Sequence, residues 1–136
     1  MCCILETIEI SSTEQFSAMR DLMIKNGDGF LLVYSIIAKS SFNDLNDFID
    51  QIYLVKDKEN VPLIIVGNKI DLEDQRVITK NELEEFANKK KLSFIETSAK
   101  NSINIQESFI QLIRLIFKSE IPSKQKKEKK ENCILF

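Results

Sequence analysis

The sequence predicts an α/β fold with a mostly parallel sheet flanked by helices. Short apolar runs alternate along the chain with longer segments whose apolar residues recur at helical spacing. The runs at 30–36 and 62–67 are apolar on both faces, which is typical of parallel strands covered by helices on both sides. Cap residues precede several of the helical segments. Alternation of this kind favours right-handed crossover connections between parallel strands.

The elements can be placed in order along the chain. Residues 3–8 are predicted to form an apolar strand, and residues 13–25 a helix that ends before the Asn26-Gly27 turn signal. Three further strands and three further helices follow. They are, in chain order, a strand at 30–36, a helix capped by Ser41, a strand at 62–67, a helix capped by Thr79 with Glu82, a strand at 92–96, and a helix capped by Asn104 with Glu107.

The composition indicates one domain followed by a tail. Residues 1–117 fit a single domain, and residues 118–136 are predicted to be a flexible, lysine-rich tail. The net charge of −2 argues against a nucleic-acid binder driven by overall basicity. The cysteines are few, and neither a signal peptide nor a membrane-spanning run is evident, which favours a reducing, cytosolic setting.

Two polar motifs follow predicted strands. They are Gly67-Asn68-Lys69-Ile70-Asp71 and Glu96-Thr97-Ser98-Ala99-Lys100, and ligands of open α/β sheets collect at that edge. The pair resembles the guanine-recognition motifs of Ras-type small GTPases, which implies a guanine ligand. Guanine presents two adjacent donors, its ring N1–H and its exocyclic amine, and one carboxylate accepts both. Asp71 is therefore the expected specificity residue. The alternative is that each motif is only a polar turn after a strand.

The same resemblance implies roles around the base for the other motif residues. Asn68 would brace the loop and touch the base, and the stem of Lys69 would lie along the ring and sugar. The backbone N–H of Ala99 would donate to the guanine carbonyl. Ser98 and Lys100 would shape the second loop.

Nearly the whole chain resembles the latter two thirds of a Ras-family small GTPase, most closely the Rap branch. The closest stretch is 13–22, where Thr13 stands at the position of the family's water-orienting glutamine, so the resemblance implies no catalytic residue and slow hydrolysis at best. It also implies a GTP or GDP ligand and regulators that contact the second-switch helix. Compared with the family fold, the first strand, first helix and second strand are missing.

The phosphate half of the family pattern is degenerate. No G-x-x-x-x-G-K-[ST] loop occurs in the sequence, and Glu9 and Ser12 stand where the family has its magnesium-linked aspartate and its phosphate-binding glycine. The pattern gives little support for magnesium binding. The missing strand should also split the sheet: either 3–8 moves across to pair with 30–36, or that edge stays exposed.

The last residues, Cys133-Ile134-Leu135-Phe136, fit the C-a-a-X lipidation motif, and a terminal Phe favours geranylgeranylation. Cys133 would become the lipidated and methylated end. Nearby lysines supply a second membrane signal. We therefore expect a location at the cytoplasmic face of a membrane, with the plasma membrane as the first expectation.

Three interpretations remain open from the sequence. The first is a membrane-anchored Ras/Rap-like GTP-binding switch in signal transduction. The second is a non-enzymatic interaction protein descended from such a GTPase. The third is the product of a truncated gene, and an upstream phosphate-loop sequence would favour it.

Overall fold

The computed structural model describes residues 4–9, 17–58, 60–120 and 130–135. Helices cover both faces of one sheet. Three of its strands come from the middle of the chain, one from the first described residues and one from the last. The strands are β1 (Ile4–Glu9), β2 (Gly29–Ser35), β3 (Leu63–Asn68), β4 (Ser93–Glu96) and β5 (Lys130–Leu135). The helices are α1 (Ser17–Asn26), α2 (Lys39–Asn43), α3 (Leu45–Lys56), α4 (Lys80–Lys90) and α5 (Ile105–Glu120), and a 3₁₀ turn spans Ile70–Gln75.

The strands form one five-stranded sheet in the order β1-β5-β2-β3-β4, and every pairing is parallel. The predicted α/β fold with a parallel sheet is confirmed. The runs predicted at 30–36, 62–67 and 92–96 correspond to β2, β3 and β4. The carboxyl ends of all strands therefore lie along one edge, which is where both polar motifs are found.

The core lies on the two faces of β2 and β3. On one face, Phe30 and Leu32 pack with buried residues of α3 and α4, such as Ile49 and Leu83. On the other face, residues of the same strands pack against α5; these are Leu31, Ile64 and Val66, with Leu112 and Ile116 of the helix. Alternate residues of a strand point to opposite faces, so a run that is apolar throughout serves both clusters.

The Thr79 cap is confirmed, the Ser41 cap is wrong, and Asn104 stands directly before α5 but does not form the expected pair with Glu107. The Thr79 hydroxyl accepts a hydrogen bond from the Glu82 amide at 3.1 Å, as predicted. Ser41 lies inside α2, where its hydroxyl donates to the Ala38 carbonyl at 2.7 Å and accepts from the Ser35 amide at 3.1 Å. Its hydroxyl thus ties α2 to the end of β2.

Asn104 also differs from the predicted cap. Its backbone has φ of 60°, and its side-chain amide donates to the Glu96 carbonyl at 3.0 Å. The side chain therefore fastens the start of α5 to the end of β4, in place of the expected reciprocal pair with Glu107. A short polar side chain tolerates the left-handed conformation better than most.

The end of the chain differs from the predicted flexible tail. Helix α5 continues to Glu120, and residues 130–135 form β5, whereas 121–129 lie outside the described residues. The expected split of the sheet is also wrong in both of its forms, because β5 fills the gap between β1 and β2. Two facing strand edges offer backbone hydrogen bonds that no isolated tail provides.

Candidate functional site: a base pocket at the carboxyl edge

The two motifs lie side by side because their strands are neighbours. In the parallel pairing of β3 with β4, Gly67 is the partner of Glu96. The loops that follow therefore leave the sheet at the same level. The Thr97 amide donates to the Gly67 carbonyl at 2.8 Å, and the Ile70 amide donates to the Thr97 carbonyl at 3.1 Å. The backbone alone thus joins the two loops.

Lys69 turns the first loop away from the sheet. It adopts the left-handed conformation with φ of 72°, which costs about 1–2 kcal/mol for a residue other than glycine. The 3₁₀ turn begins directly after it, and the Leu72 amide donates to the Lys69 carbonyl at 2.9 Å. This turn brings Asp71 back towards the second loop, while the Lys69 side chain stays exposed.

Asn68 braces the pocket from within. Its Oδ1 accepts from the Thr97 hydroxyl at 3.0 Å and from the Ala99 amide at 3.1 Å. One side chain of the first motif therefore holds two residues of the second.

Ser98 holds the carboxylate of Asp71. The buried Ser98 hydroxyl donates to Asp71 Oδ1 at 2.8 Å and accepts from the Asn101 amide at 3.1 Å. No described residue donates to Asp71 Oδ2. A carboxylate has about four lone-pair positions, so Asp71 keeps the capacity to accept the two donors of a guanine edge.

The second loop is closed by its own backbone. Ser98 and Ile103 form an antiparallel bridge with two backbone hydrogen bonds, at 2.9 and 3.0 Å. Ser102 makes the turn with φ of 56°. Ala99 and Lys100 lie at the exposed tip of this loop. The backbone of Ala99 is thus held beside Asn68 without burial of its side chain.

Arg76 connects the 3₁₀ turn to the end of β4. Its guanidinium contacts Glu96 at 2.6 Å and Glu73 at 2.7 Å, and only 14% of the Arg76 side chain is exposed. Hydrogen bonds to Glu96 and Glu73 raise the pKa of Arg76 above its usual value. Sequence reasoning missed this residue, because no motif pairs an arginine with a glutamate twenty positions away.

Glycine is required at position 67 because the Tyr34 side chain lies directly against it. A Cβ at this position would come within 2.7 Å of the Tyr34 hydroxyl oxygen. The Tyr34 side chain is buried, and its hydroxyl has no hydrogen-bond partner among the described residues. Burial, and then the charge of Glu96, raise the pKa of Tyr34. The end of β3, which leads into the first loop, therefore packs against the neutral phenol of Tyr34.

The remaining predicted site residues do not join this pocket. Glu9 ends β1, and β5 and β2 lie between it and β3. In the register of the sheet Glu9 is level with Leu31 and Ile64, four residues before Asn68, so its backbone is roughly 20 Å from that of Asn68. Ser12 and Thr13 lie outside the described residues. Cys133 lies in β5, paired with Thr7 and Gly29.

The described ranges were also compared with the donor sets that hold metal ions. No group of three or more His, Cys, Asp or Glu side chains there is arranged to hold a metal ion. Glu9 stands where the family resemblance implies an aspartate that acts on magnesium, and the glutamate side chain is longer by one methylene.

The sequence model of the Ras family matches residues 3–118. The match includes both motifs and all strands except β5, which lies beyond its end. Among the described residues, no helix has the length and apolarity needed to cross a membrane.

Proposed function

Because the chain belongs to the Ras family of small GTP-binding proteins, we propose that its pocket binds a guanine nucleotide chiefly through the base. The observation that carries this proposal is the network joining Asn68, Asp71, Ser98 and Ala99. It orients a carboxylate and a backbone amide at the same edge. Both are needed to recognise guanine.

Asp71 supplies the selectivity. Its two oxygens accept from the ring N1–H and the exocyclic amine of guanine, whereas adenine has an acceptor at N1 and no amine beside it. The hydrogen bond from Ser98 fixes the carboxylate before the base arrives. A preorganised acceptor loses less conformational entropy on binding.

Ala99 supplies the contact to the base carbonyl after a small rearrangement. In the ligand-free pocket its amide donates to Asn68 Oδ1 at 3.1 Å. On binding, this amide turns to the guanine carbonyl or is shared with it, while Asn68 keeps its bond from the Thr97 hydroxyl. The Lys69 stem then covers the ring, and Lys100 stays at the loop tip.

Phosphate binding is the weak part of the proposed activity. The sequence holds no G-x-x-x-x-G-K-[ST] loop, and Glu9, Ser12 and Thr13 depart from the family pattern. Two charge-assisted hydrogen bonds of about 1.5–3 kcal/mol each give roughly millimolar to micromolar affinity before the cost of ordering is subtracted. The chain by itself is expected to hydrolyse little or no GTP.

The Rap-like character and the membrane anchor are part of the same proposal. Thr13 in the 13–22 stretch supports a Rap-like second switch. The Cys133 motif and the preceding lysines support lipidation and signalling at the cytoplasmic face of a membrane. Regulators are expected to contact the second-switch helix, α1.

The test is an exchange of base specificity. Xanthine carries a carbonyl where guanine carries the exocyclic amine, so Asp71→Asn presents an acceptor for its N1–H and a donor for its carbonyl. We expect calorimetry to show GDP binding by the wild type, and XDP binding in place of GDP binding by the variant. Both titrations are run with and without magnesium.

The outcomes separate two functions. A folded wild type that binds neither nucleotide, at concentrations up to the millimolar range expected for base contacts alone, contradicts nucleotide binding. It leaves a non-enzymatic interaction protein as the second candidate. The observation that favours this candidate is the exposure of Met19 and Leu22 on α1, at 53% and 58%. Apolar side chains on one exposed helix suit a protein partner.

A further inference from the structure

Strand β5 completes the sheet in a position that the family match does not include. Residues 130–135 pair with all six residues of β1, from Ile4↔Lys130 to Glu9↔Leu135. On its other side, β5 pairs with β2 through Gly29↔Cys133, Phe30↔Ile134 and Leu31↔Leu135. The backbone of the C-a-a-X segment is therefore held between two strands.

The gap between β1 and β2 needs an occupant. Within the described part of the chain, β1 pairs only with β5. Without β5, β1 would have no partner strand, and an inner edge of β2 would lose its pairing. Unpaired backbone groups at a sheet edge are a liability that proteins cover or pair.

The topology permits this insertion. The connection from β3 to β4 runs through α4 on one face of the sheet and leads to the edge strand. The connection from β4 to β5 runs in the opposite direction along the sheet, through α5 on the other face. Reversing both direction and face preserves the hand of the crossover. Residues 121–129 join α5 to β5, and nine residues span up to about 30 Å when extended.

We propose that docking of residues 130–135 and lipidation of Cys133 are mutually exclusive states of this chain. The proposal rests on the lipid anchor proposed above. In the docked state Cys133 lies between Thr7 and Gly29 in the sheet, so a transferase that reads the last four residues must first draw them out. The strand is thus a built-in restraint on membrane anchoring.

Lipidation also prevents return to the docked state. The Cys133 thiol loses its proton, its sulfur forms a thioether to C1 of geranylgeranyl diphosphate, and the carbon–oxygen bond to diphosphate breaks. An endoprotease then hydrolyses the peptide bond after residue 133 with water, so that Cys133 keeps a free carboxylate and residues 134–136 leave as a tripeptide. This removes two of the three pairs with β2. The gap is left open for another strand once the anchor has formed.

The test compares rates of lipidation by a purified protein geranylgeranyltransferase. The substrates are the full chain and a synthetic peptide of residues 118–136, which carries the same recognition sequence without the sheet. If nine chains in ten are docked, the full chain reacts about tenfold more slowly than the peptide. Equal rates would overturn the proposal.

Variants of the edge strands make the test specific. Thr7→Pro and Ile8→Pro are made separately, because alternate amides of β1 face β5, and proline at the facing position removes a ladder hydrogen bond. At least one should raise the rate towards that of the peptide. Ser93→Pro, in the opposite edge strand β4, is the matched control and should not.

A second variant strengthens docking without changing the last four residues. Asn132→Val raises the β-propensity of β5. We expect slower lipidation of the full chain and an unchanged rate for the peptide carrying the same substitution. Equal slowing of both would count against docking, because it would reflect the preference of the transferase.

Amide exchange separates failure of docking from failure of the anchor. In the full chain, amides of residues 133–135, which have a paired strand on both sides, should be protected, and the β1 proline that releases the strand should abolish protection of those that face β1. No protection in the wild type overturns the docking. An unmodified peptide beside protected amides shows instead that the proposed anchor is wrong, and the exclusion proposed here fails with it.

Discussion

At the scale of single residues, Ser98 has the largest expected effect for the smallest change. Its hydroxyl donates to Asp71 Oδ1 and accepts from the Asn101 amide, so it joins the two loops and also closes the second one. Ser98→Ala should weaken GDP binding by about ten- to a hundredfold, since a hydrogen bond to a charged group contributes about 1.5–3 kcal/mol. Calorimetry measures the loss. Ser102→Ala, at the exposed turn of the same loop, is the control and should bind as the wild type does.

Tyr34 gives a residue-scale prediction of the opposite sign. Its buried hydroxyl has no described partner, so Tyr34→Phe removes a desolvated polar group and no described hydrogen bond. We expect the free energy of unfolding in urea to rise by about 1 kcal/mol or to stay unchanged. A clear loss of stability would show that the hydroxyl has a partner after all.

Gly67 tests the same contact from above. Gly67→Ala brings a methyl group to 2.7 Å from the Tyr34 hydroxyl oxygen and should destabilise the wild type. The penalty should be smaller in Tyr34→Phe, because the closest atom is then gone and the next, at 3.0 Å, belongs to the ring. A double-mutant cycle measures this coupling, and strict additivity would contradict the contact.

At the scale of elements, sequence patterns were most reliable where the signal is local. The run at 30–36 is apolar throughout, so its place in a covered sheet could be read directly, and Thr79 lies three residues before Glu82 as a cap requires. β5 could not be predicted this way. Its first residues, Lys130 to Asn132, have low β-propensity, and it pairs only because distant strands leave a gap.

In the candidate site, too, local patterns predicted the residue types but not the contacts between them. The residue types and order of the two motifs indicated a guanine pocket. They did not indicate which residue of one motif would form a hydrogen bond with which residue of the other. That Ser98 holds Asp71 and Asn68 holds Ala99 depends on two neighbouring strands ending at the same level. The Arg76–Glu96 pair also depends on this level, and no local pattern encodes it.

Arg76 gives the element-scale prediction. Arg76→Leu leaves the largely buried Glu96 carboxylate without its close cationic partner and unties the 3₁₀ turn from β4. Removing one member of such a pair should lower the free energy of unfolding by about 1–3 kcal/mol. The double variant Arg76→Leu/Glu96→Leu should recover part of this loss, because it leaves no unpaired charge. Urea unfolding of both variants measures the difference.

At the scale of the whole molecule, the sheet depends on the two ends of the chain meeting. β1 comes from the first described residues and β5 from the last, whereas β2, β3 and β4 pair with one another. During synthesis the centre of the sheet can therefore form before β1 has a partner. Such long-range pairing closes the largest loop in the fold and is expected to form late.

This dependence predicts which strands separate when β5 is disrupted. Ile134 lies between Ile8 and Phe30 in the register of the sheet, so a paired strand lies on whichever side its amide faces. Ile134→Pro removes that amide and its ladder hydrogen bond and should expel the strand. Amide exchange should then show β1 losing protection while β2, β3 and β4 keep theirs. Ser123→Pro makes the same change outside the strand and should change neither, whereas unchanged protection of β1 in Ile134→Pro would mean that β1 does not depend on β5.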